Sequence, residues 1–463
     1  MSETSFSTLD LHPSILKNLG DLGYEEMTPI QAQSLPLMLA GKDVIAQGKT
    51  GSGKTAAFGL ALLAKLKVKS YFVNSLVLCP TRELADQVAK ALRQLARTTP
   101  NVKILTLCGG TPFGPQIGSL EHGAHIVVGT PGRVDEHVRK GTLKLNRLKQ
   151  LVLDEADRML DMGFQDEIDS IIDHCATSRQ TLLFSATYQE KIQAVAESVM
   201  RDPEMVEVAS THDHSSIKQY FYKIGDKPEQ RMKALQLLLQ EHQPETTVIF
   251  CTTKRDVQDL ADDLIEDGFS AIALHGGLEQ RERDQALVQF ASNSSCILVA
   301  TDVAARGLDI EKLDAVINYH ISRDFEVHVH RIGRTGRAGS KGLALSLYSE
   351  KESHKMQLLQ EFLDQEIESE ELPDVAVLKK RKMTPPMVTL CINVGKKDKL
   401  RPGNILGSLT GKGGIAGSDV GKIHIFDRSA YVAVRHSVLD KAMKKLASDR
   451  WKGLTLKGWL IQS

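Results

Sequence analysis

The stretch "DVIAQGKTGSGKT", residues 43–55, decides the fold. It opens on a short apolar run, turns through Gly48, Gly51 and Gly53, and leads into "AAFGLALLAKL" (56–66), which suits a buried helix. Gly48, Gly53, Lys54 and Thr55 stand at the spacing of a phosphate-binding loop. Gly51 and Gly53 let backbone N–H groups close around an anion at a helix N-terminus. Lys54 is placed for the outer phosphates, and the Thr55 hydroxyl for Mg²⁺. The loop as a whole, Gly48, Lys49, Thr50, Gly51, Ser52, Gly53, Lys54 and Thr55, is expected to hold a nucleoside triphosphate. A chance glycine turn would need neither the strand before it nor the helix after it.

Working outward, strand-length apolar runs recur from about residue 40 to 350. They are "DVIA", "SLVLC", "KILTLC", "HIVVG", "QLVLD" and "TLLFS", then "TTVIFC", "SAIAL", "SCILVA", "DAVINY" and "LALSLY". Continuous apolar runs separated by helical stretches mark parallel sheets covered on both faces. Eleven are too many for one comfortable sheet, and the polar break "ASTHDHSS" (209–216) divides them. Two α/β domains are therefore expected, over 1–208 and 217–370, with 209–216 as linker. A second break, "ELPDVAVLKKRKMTPP" (371–386), precedes a third domain over 387–463.

Ligands of parallel sheets bind beyond the carboxyl ends of the strands. Here those ends carry "VLCPTRELA" (77–85), "LCGG" (107–110), "VVGTPGR" (127–133), "VLDEAD" (152–157), "LFSAT" (183–187) and "VATDVAARGLD" (299–309). Asp154 would hold Mg²⁺ and Glu155 would polarise an attacking water. An acidic helix start stabilised by the dipole explains the same residues, but not their pairing with a phosphate loop. Gln31, in "GYEEMTPIQ" (23–31), could pair with adenine N6 and N7. "HRIGRTGR" (330–337) sets Arg331, Arg334 and Arg337 three apart, cations that repel one another unless an anion arrives. The histidine pairs 212/214 and 328/330 lack a second ligand pair at metal spacing, so no metal besides Mg²⁺ is expected.

Together these motifs, with "QRER" (280–283), resemble the DEAD-box RNA helicases of helicase superfamily two. The resemblance covers residues 1 to about 370 and implies two tandem RecA-like domains. It further implies that Phe6, Tyr24 and Gln31 hold adenine, that Asp309 approaches the ribose, and that Ser185 and Thr187 couple nucleotide state to RNA. Thr81, Arg82, Gly110, Thr130, Arg133, Gln280, Arg283 and Thr301 would grip the RNA sugar–phosphate backbone. Arg334 and Arg337 would act as arginine fingers on the γ-phosphate, with His330 and Arg331 in the network between the domains. Lys54, Asp154, Glu155, His330, Arg334 and Arg337 form the expected catalytic set.

Net charge is zero over 463 residues, yet residues 385–463 hold 14 Lys and Arg against five Asp and no Glu. That tail carries +9 and the rest −9, which points to a polyanion partner for the tail. Its segments follow the order β-α-β-β-α-β of an RRM-like α+β domain. An RRM stacks bases on aromatics of its central strands, whereas this one offers Cys391 and Tyr431 there. Trp451 and Trp459 lie off those strands and suit packing. RNA recognition is therefore expected at Lys396, Lys397, Lys399 and Arg401. "RPGNILGSLTG" and "GKIHIFDRSAYVAVR" resemble bacterial DEAD-box members whose tail binds a hairpin of large-subunit ribosomal RNA. That resemblance implies work on pre-ribosomal particles.

Six scattered cysteines, none in a C-x-x-C pair, suggest buried free thiols in a reducing compartment. No leader segment or membrane span is visible, so a cytoplasmic monomer is expected. An ATP-dependent RNA helicase opening short duplexes is the leading reading. An ATP-locked RNA clamp with little net unwinding is the rival.

Overall fold

The computed structural model describes residues 4–48, 51–70, 72–188, 190–208, 217–305, 313–322, 324–336, 342–448, 450–451, 454–456 and 458–461. The linker residues 209–216, Lys49, Thr50, Asp309 and Arg337 lie outside them. The chain divides into two compact units, one up to the linker and one after it.

The first unit is built on a seven-stranded sheet in which every pairing is parallel. Its strands are β1 (Val44–Gln47), β2 (Ser75–Leu78), β3 (Ile104–Leu107), β4 (Ile126–Gly129), β5 (Gln150–Asp154), β6 (Gln180–Ser185) and β7 (Glu204–Glu207). Their order is β3-β4-β2-β5-β6-β1-β7. Helices cover both faces, so β2, β4, β5 and β6 are buried along their whole length. Phe58 and Phe184 pack on one face with ring centroids 5.3 Å apart, and Met159 and Ile168 on the other.

The strand order sorts the motifs. The three neighbours β3, β4 and β2 end in the glycine pair, "TPGR" and "PTRELA". The neighbours β5, β6 and β1 end in "DEAD", "SAT" and the phosphate loop. One sheet edge thus carries the motifs expected for RNA on one half and those expected for nucleotide on the other.

The second unit repeats the plan. Strands β8 (Ile217–Ile224), β9 (Thr247–Cys251), β10 (Ala271–Leu274), β11 (Ile297–Thr301), β12 (Ala315–Asn318), β13 (Gly342–Ser349) and β14 (Ser369–Glu370) form a second all-parallel sheet. Its order is β10-β11-β9-β12-β13-β8-β14. Residues 371–386 are pinned rather than extended as a spacer. Gln240 and Gln243 donate to the carbonyls of Lys380 and Arg381 at 3.0 and 2.9 Å, and Lys380 pairs with Glu241 at 2.8 Å.

The tail forms an antiparallel sheet. Its strands are β15 (Met387–Ile392), β16 (Val420–Ile425) and β17 (Ala430–Arg435), then the small pair β18 (Arg450–Trp451) and β19 (Leu454–Thr455), and finally β20 (Gly458–Leu460). The sheet order is β16-β17-β15-β20. Alternation sends Leu390, Ile392, Val432 and Val434 toward the helices Pro402–Thr410 and Leu439–Ser448. The same alternation sends Cys391 and Tyr431 to the opposite face. There they are buried with Val288, from the helix Gln280–Ala291 of the second parallel-sheet domain. Thr389 and Ser294 hydroxyls meet at 2.8 Å beneath this contact. All six cysteines are free and buried.

Candidate active site

The phosphate loop is wound as its glycines require. Gly51 and Gly53 have φ of +87° and +93°, a region most side chains avoid. A Cβ on Gly53 would lie 2.5 Å from Gln31 Nε2. Gln31 is buried, donates from Nε2 to the Gly53 carbonyl at 3.0 Å, and accepts the Thr28 N–H at 2.9 Å. Thr28 Oγ1 donates to the Ser52 carbonyl at 2.8 Å. The glutamine picked out for adenine is thus also a strut of the phosphate loop. A carboxamide has two donors and two lone pairs, so one of each remains for a base. Phe6 is buried and meets Tyr24 edge-on at 6.3 Å, with Tyr24 partly exposed.

Lys54 donates to the Gly48 carbonyl at 2.5 Å. Asp154 and Glu155 close β5 and are both buried. Burial raises the Asp154 pKa to about 7, against the favourable charge of Lys54 and with the repulsion of Glu155. Glu155 sits in the left-handed region at φ +52°, an uncommon setting for a non-glycine residue and one found at functional positions. Arg158 Nε lies 3.3 Å from its carboxylate. Asp157 Oδ2 accepts the Ala186 N–H at 3.2 Å, and the Gly48 N–H reaches the Ser185 carbonyl at 3.0 Å. The "DEAD", "SAT" and phosphate loops are therefore bonded to one another.

Ser52 Oγ and Asp157 Oδ1 are buried with no hydrogen-bond partner among the described residues, and Glu155 Oε2 has only the Arg158 ion pair. Orphaned buried polar atoms call for a polar occupant. A hard-oxygen set of a carboxylate and a threonine hydroxyl suits Mg²⁺, which keeps several waters and is held by few protein ligands plus phosphates.

On the other half of the edge, Arg82 lies over the glycine pair. A Cβ on Gly110, whose φ is +76°, would fall 1.9 Å from Arg82 Nη1. Thr81 caps its helix by accepting the Leu84 N–H at 3.2 Å. Arg133 donates from Nη1 to the Thr111 carbonyl and to Gln116 Oε1, both at 3.0 Å. The structure thus gathers Thr81, Arg82, Gly110, Thr130 and Arg133 at three adjacent strand ends.

In the second unit, Thr301 ends β11, and Gln280 and Arg283 open the helix Gln280–Ala291. His330 and Arg334 follow β12, and Arg334 is buried. Arg331 holds Asp302 through Nε at 2.6 Å and Nη2 at 2.8 Å. Its Nη1 reaches Asn318 Oδ1 at 3.0 Å and the His320 carbonyl at 2.8 Å. Arg331 is therefore an anchor inside its own domain.

Lys396, Lys397, Lys399 and Arg401 are all exposed, on a loop held to the 426–429 turn by the Lys396 and Lys397 amides at 2.8 and 2.9 Å. Trp459 is 39 % exposed on the edge strand. Gln116 and His137, bonded to each other beside Arg133, belong to none of the sequence motifs. Their signal is only position, inside segments that start at a motif.

Comparison with known proteins places this geometry. Residues 28–195 match the DEAD/DEAH box helicase family, 230–339 the helicase conserved C-terminal domain, and 389–458 the DbpA RNA binding domain. The chain is 52 % identical to the ATP-dependent RNA helicase DbpA of Escherichia coli, over 99 % of this chain and all of that one. It is 36 % identical to the Bacillus subtilis protein of the same name, over 98 % of each. Among solved structures, yeast Dbp5 bound to RNA and ADP BeF3 superposes with a TM-score of 0.72 at 30 % identity, over 80 % of this chain and 96 % of that one.

Proposed function

We propose that this chain, which belongs to the DEAD-box ATP-dependent RNA helicases, opens short RNA duplexes locally on a maturing large ribosomal subunit. In this reading the tail holds a ribosomal RNA hairpin. The observation that carries the reading is the tail: a match to the DbpA RNA binding domain whose exposed basic loop stays accessible while its sheet face is packed against Val288.

Within the core, Gln31, Phe6 and Tyr24 select adenine, and Lys54 with the loop amides holds the phosphates. Asp154 and Thr55 would hold Mg²⁺, which neutralises phosphate charge when bound. Glu155 takes the proton of the attacking water. Arg334 and Arg337 stabilise the transition-state charge, a role worth about 10³–10⁵ in rate for arginine fingers elsewhere. Thr81, Arg82, Gly110, Thr130, Arg133, Gln280, Arg283 and Thr301 grip RNA sugar and phosphate, contacts that carry no sequence information. Sequence choice then falls to the tail through Lys396, Lys397, Lys399 and Arg401.

Strand displacement coupled to RNA-stimulated ATP hydrolysis tests this, using ribosomal hairpin fragments against random hairpins of equal length. The full chain should prefer the ribosomal fragments, and deletion from residue 385 should abolish the preference while leaving weak stimulation by any long RNA. Equal response to both RNAs would overturn the ribosomal reading. Tight RNA binding without strand displacement or turnover would favour the clamp.

A further inference from the structure

We propose that Gln116 and His137 are positioning residues that hold Arg133 in the plane from which it meets an RNA phosphate. The proposal rests on the reading of Arg133 as a backbone grip. Gln116 bridges two motif loops. Its Nε2 donates to the Cys108 carbonyl, just before the glycine pair, at 3.0 Å and to Thr111 Oγ1 at 2.6 Å. Its Oε1 accepts from Arg133 Nη1 at 3.0 Å. Those partners fix the carboxamide's orientation, since a carbonyl can only accept and a guanidinium can only donate.

Oε1 also meets His137 Nε2 at 2.9 Å. Nε2 must therefore carry the hydrogen, and Nδ1 lies 2.8 Å from Thr142 Oγ1, whose single hydrogen is shared between Nδ1 and the His137 carbonyl at 3.0 Å. The ring is fully buried and stacks on Phe113, with centroids 4.1 Å apart and planes 17° from parallel. Burial and the neighbouring Arg133 charge hold it neutral, with a pKa near 4. Arg133 Nε pairs with Glu136 at 3.1 Å. These contacts use three of five guanidinium hydrogens, and the two on Nη2 are the donors this network leaves for a phosphate.

The test is ATP hydrolysis by the full chain, stimulated by a single-stranded poly(A) homopolymer that gives the tail no hairpin to bind. Gln116→Leu and His137→Leu should raise the RNA concentration for half-maximal rate about tenfold, as expected when a charged group's hydrogen bonds are lost. The rate at saturating RNA should stay within about twofold, and His137→Gln, which keeps a donor near the Nε2 position, should recover most of the loss. Arg133→Ala should cost at least as much, and adding Gln116→Leu to it should cost little more. If His137→Leu does not fold, Gln116→Leu carries the test. Wild-type RNA dependence in Gln116→Leu, with Arg133→Ala impaired, would overturn the positioning role alone. Wild-type dependence in Arg133→Ala would overturn both that role and the reading of Arg133 as a grip.

Discussion

Lys54 rests against the Gly48 carbonyl at 2.5 Å, a contact that a triphosphate would replace. In the proposed function its ammonium would touch ground-state phosphates, whereas a finger arginine would act mainly in the transition state. Lys54→Ala should therefore weaken nucleotide binding. Arg337→Ala should leave binding largely intact and lower turnover by about 10³-fold or more, judging from other finger arginines. Equilibrium nucleotide titration beside turnover separates the two, and near-normal turnover in Arg337→Ala would remove the finger role. Glu155 is a second test at this scale. Its carboxylate is backed by Arg158 at 3.3 Å and sits on a left-handed residue, a setting that suits the proposed role of base. Glu155→Gln should keep ATP and RNA bound while hydrolysis falls by about 10² or more, the usual worth of a general base. The readout is slow release of labelled RNA in the presence of ATP. A variant that hydrolyses ATP normally would strip Glu155 of the role of base.

At the scale of elements, the helix Gln280–Ala291 serves two masters. Its first turn carries Gln280 and Arg283, expected at RNA, while Val288 near its end packs on Cys391 and Tyr431 of the tail. Val288→Asp would bury a charge in that contact, and a buried unpaired charge is costly enough to open the interface. Cys391 is fully buried, with its thiol pKa raised first by burial. Opening should speed its alkylation about tenfold or more, as local opening free energy falls. Mass spectrometry of Cys391 reads this directly, and an unchanged rate would mean the tail does not depend on Val288. The sequence made some of these elements plain and hid others. Runs such as "QLVLD" and "TLLFS" were legible because they are buried on both faces. The strands Glu204–Glu207, Ile217–Ile224 and Ser369–Glu370 were not, because each lies at or next to a sheet edge, the first two mix polar with apolar residues, and the last is a serine and a glutamate alone. In the site, every motif carried its own signature, and within the first domain the ends of neighbouring strands gather its motifs along one sheet edge. What no spacing could show was partnership over distance. Gln31 on the Gly53 carbonyl, Gln116 between two loops, and Val288 beneath Tyr431 all depend on the order of strands and the packing of domains. The empty stacking platform of the tail was visible as Cys391, but its reason, a docked helix, was not.

For the molecule as a whole, acid is the informative stress, because each unit buries a neutral histidine. His137 in the first and His328 in the second both have pKa values pushed down to about 4, with burial the leading cause. The sign follows from proton uptake. Between the ordinary histidine pKa of 6.5 and about 4, the unfolded chain binds a proton that the folded chain refuses. Stability from these groups is therefore complete above pH 6.5 and is lost as pH falls toward 4. Asp154 opposes this, since burial raises its pKa and its folded form gains a proton as pH falls below about 7. His328 isolates the histidine effect in the second unit. It is fully buried, neither ring nitrogen has a hydrogen-bond partner among the described residues, and it lies nearly parallel to Phe221 at 6.1 Å. A phenylalanine keeps that stack and has nothing to protonate. His328→Phe should match or exceed the wild type at pH 7.5, and its advantage should grow by about 2 kcal/mol at pH 5 from linkage alone. Chemical denaturation of the second unit at the two pH values measures the difference. A gap that stays constant with pH would show that His328 gains its proton in the folded protein as readily as in the unfolded chain, and would place the acid sensitivity elsewhere.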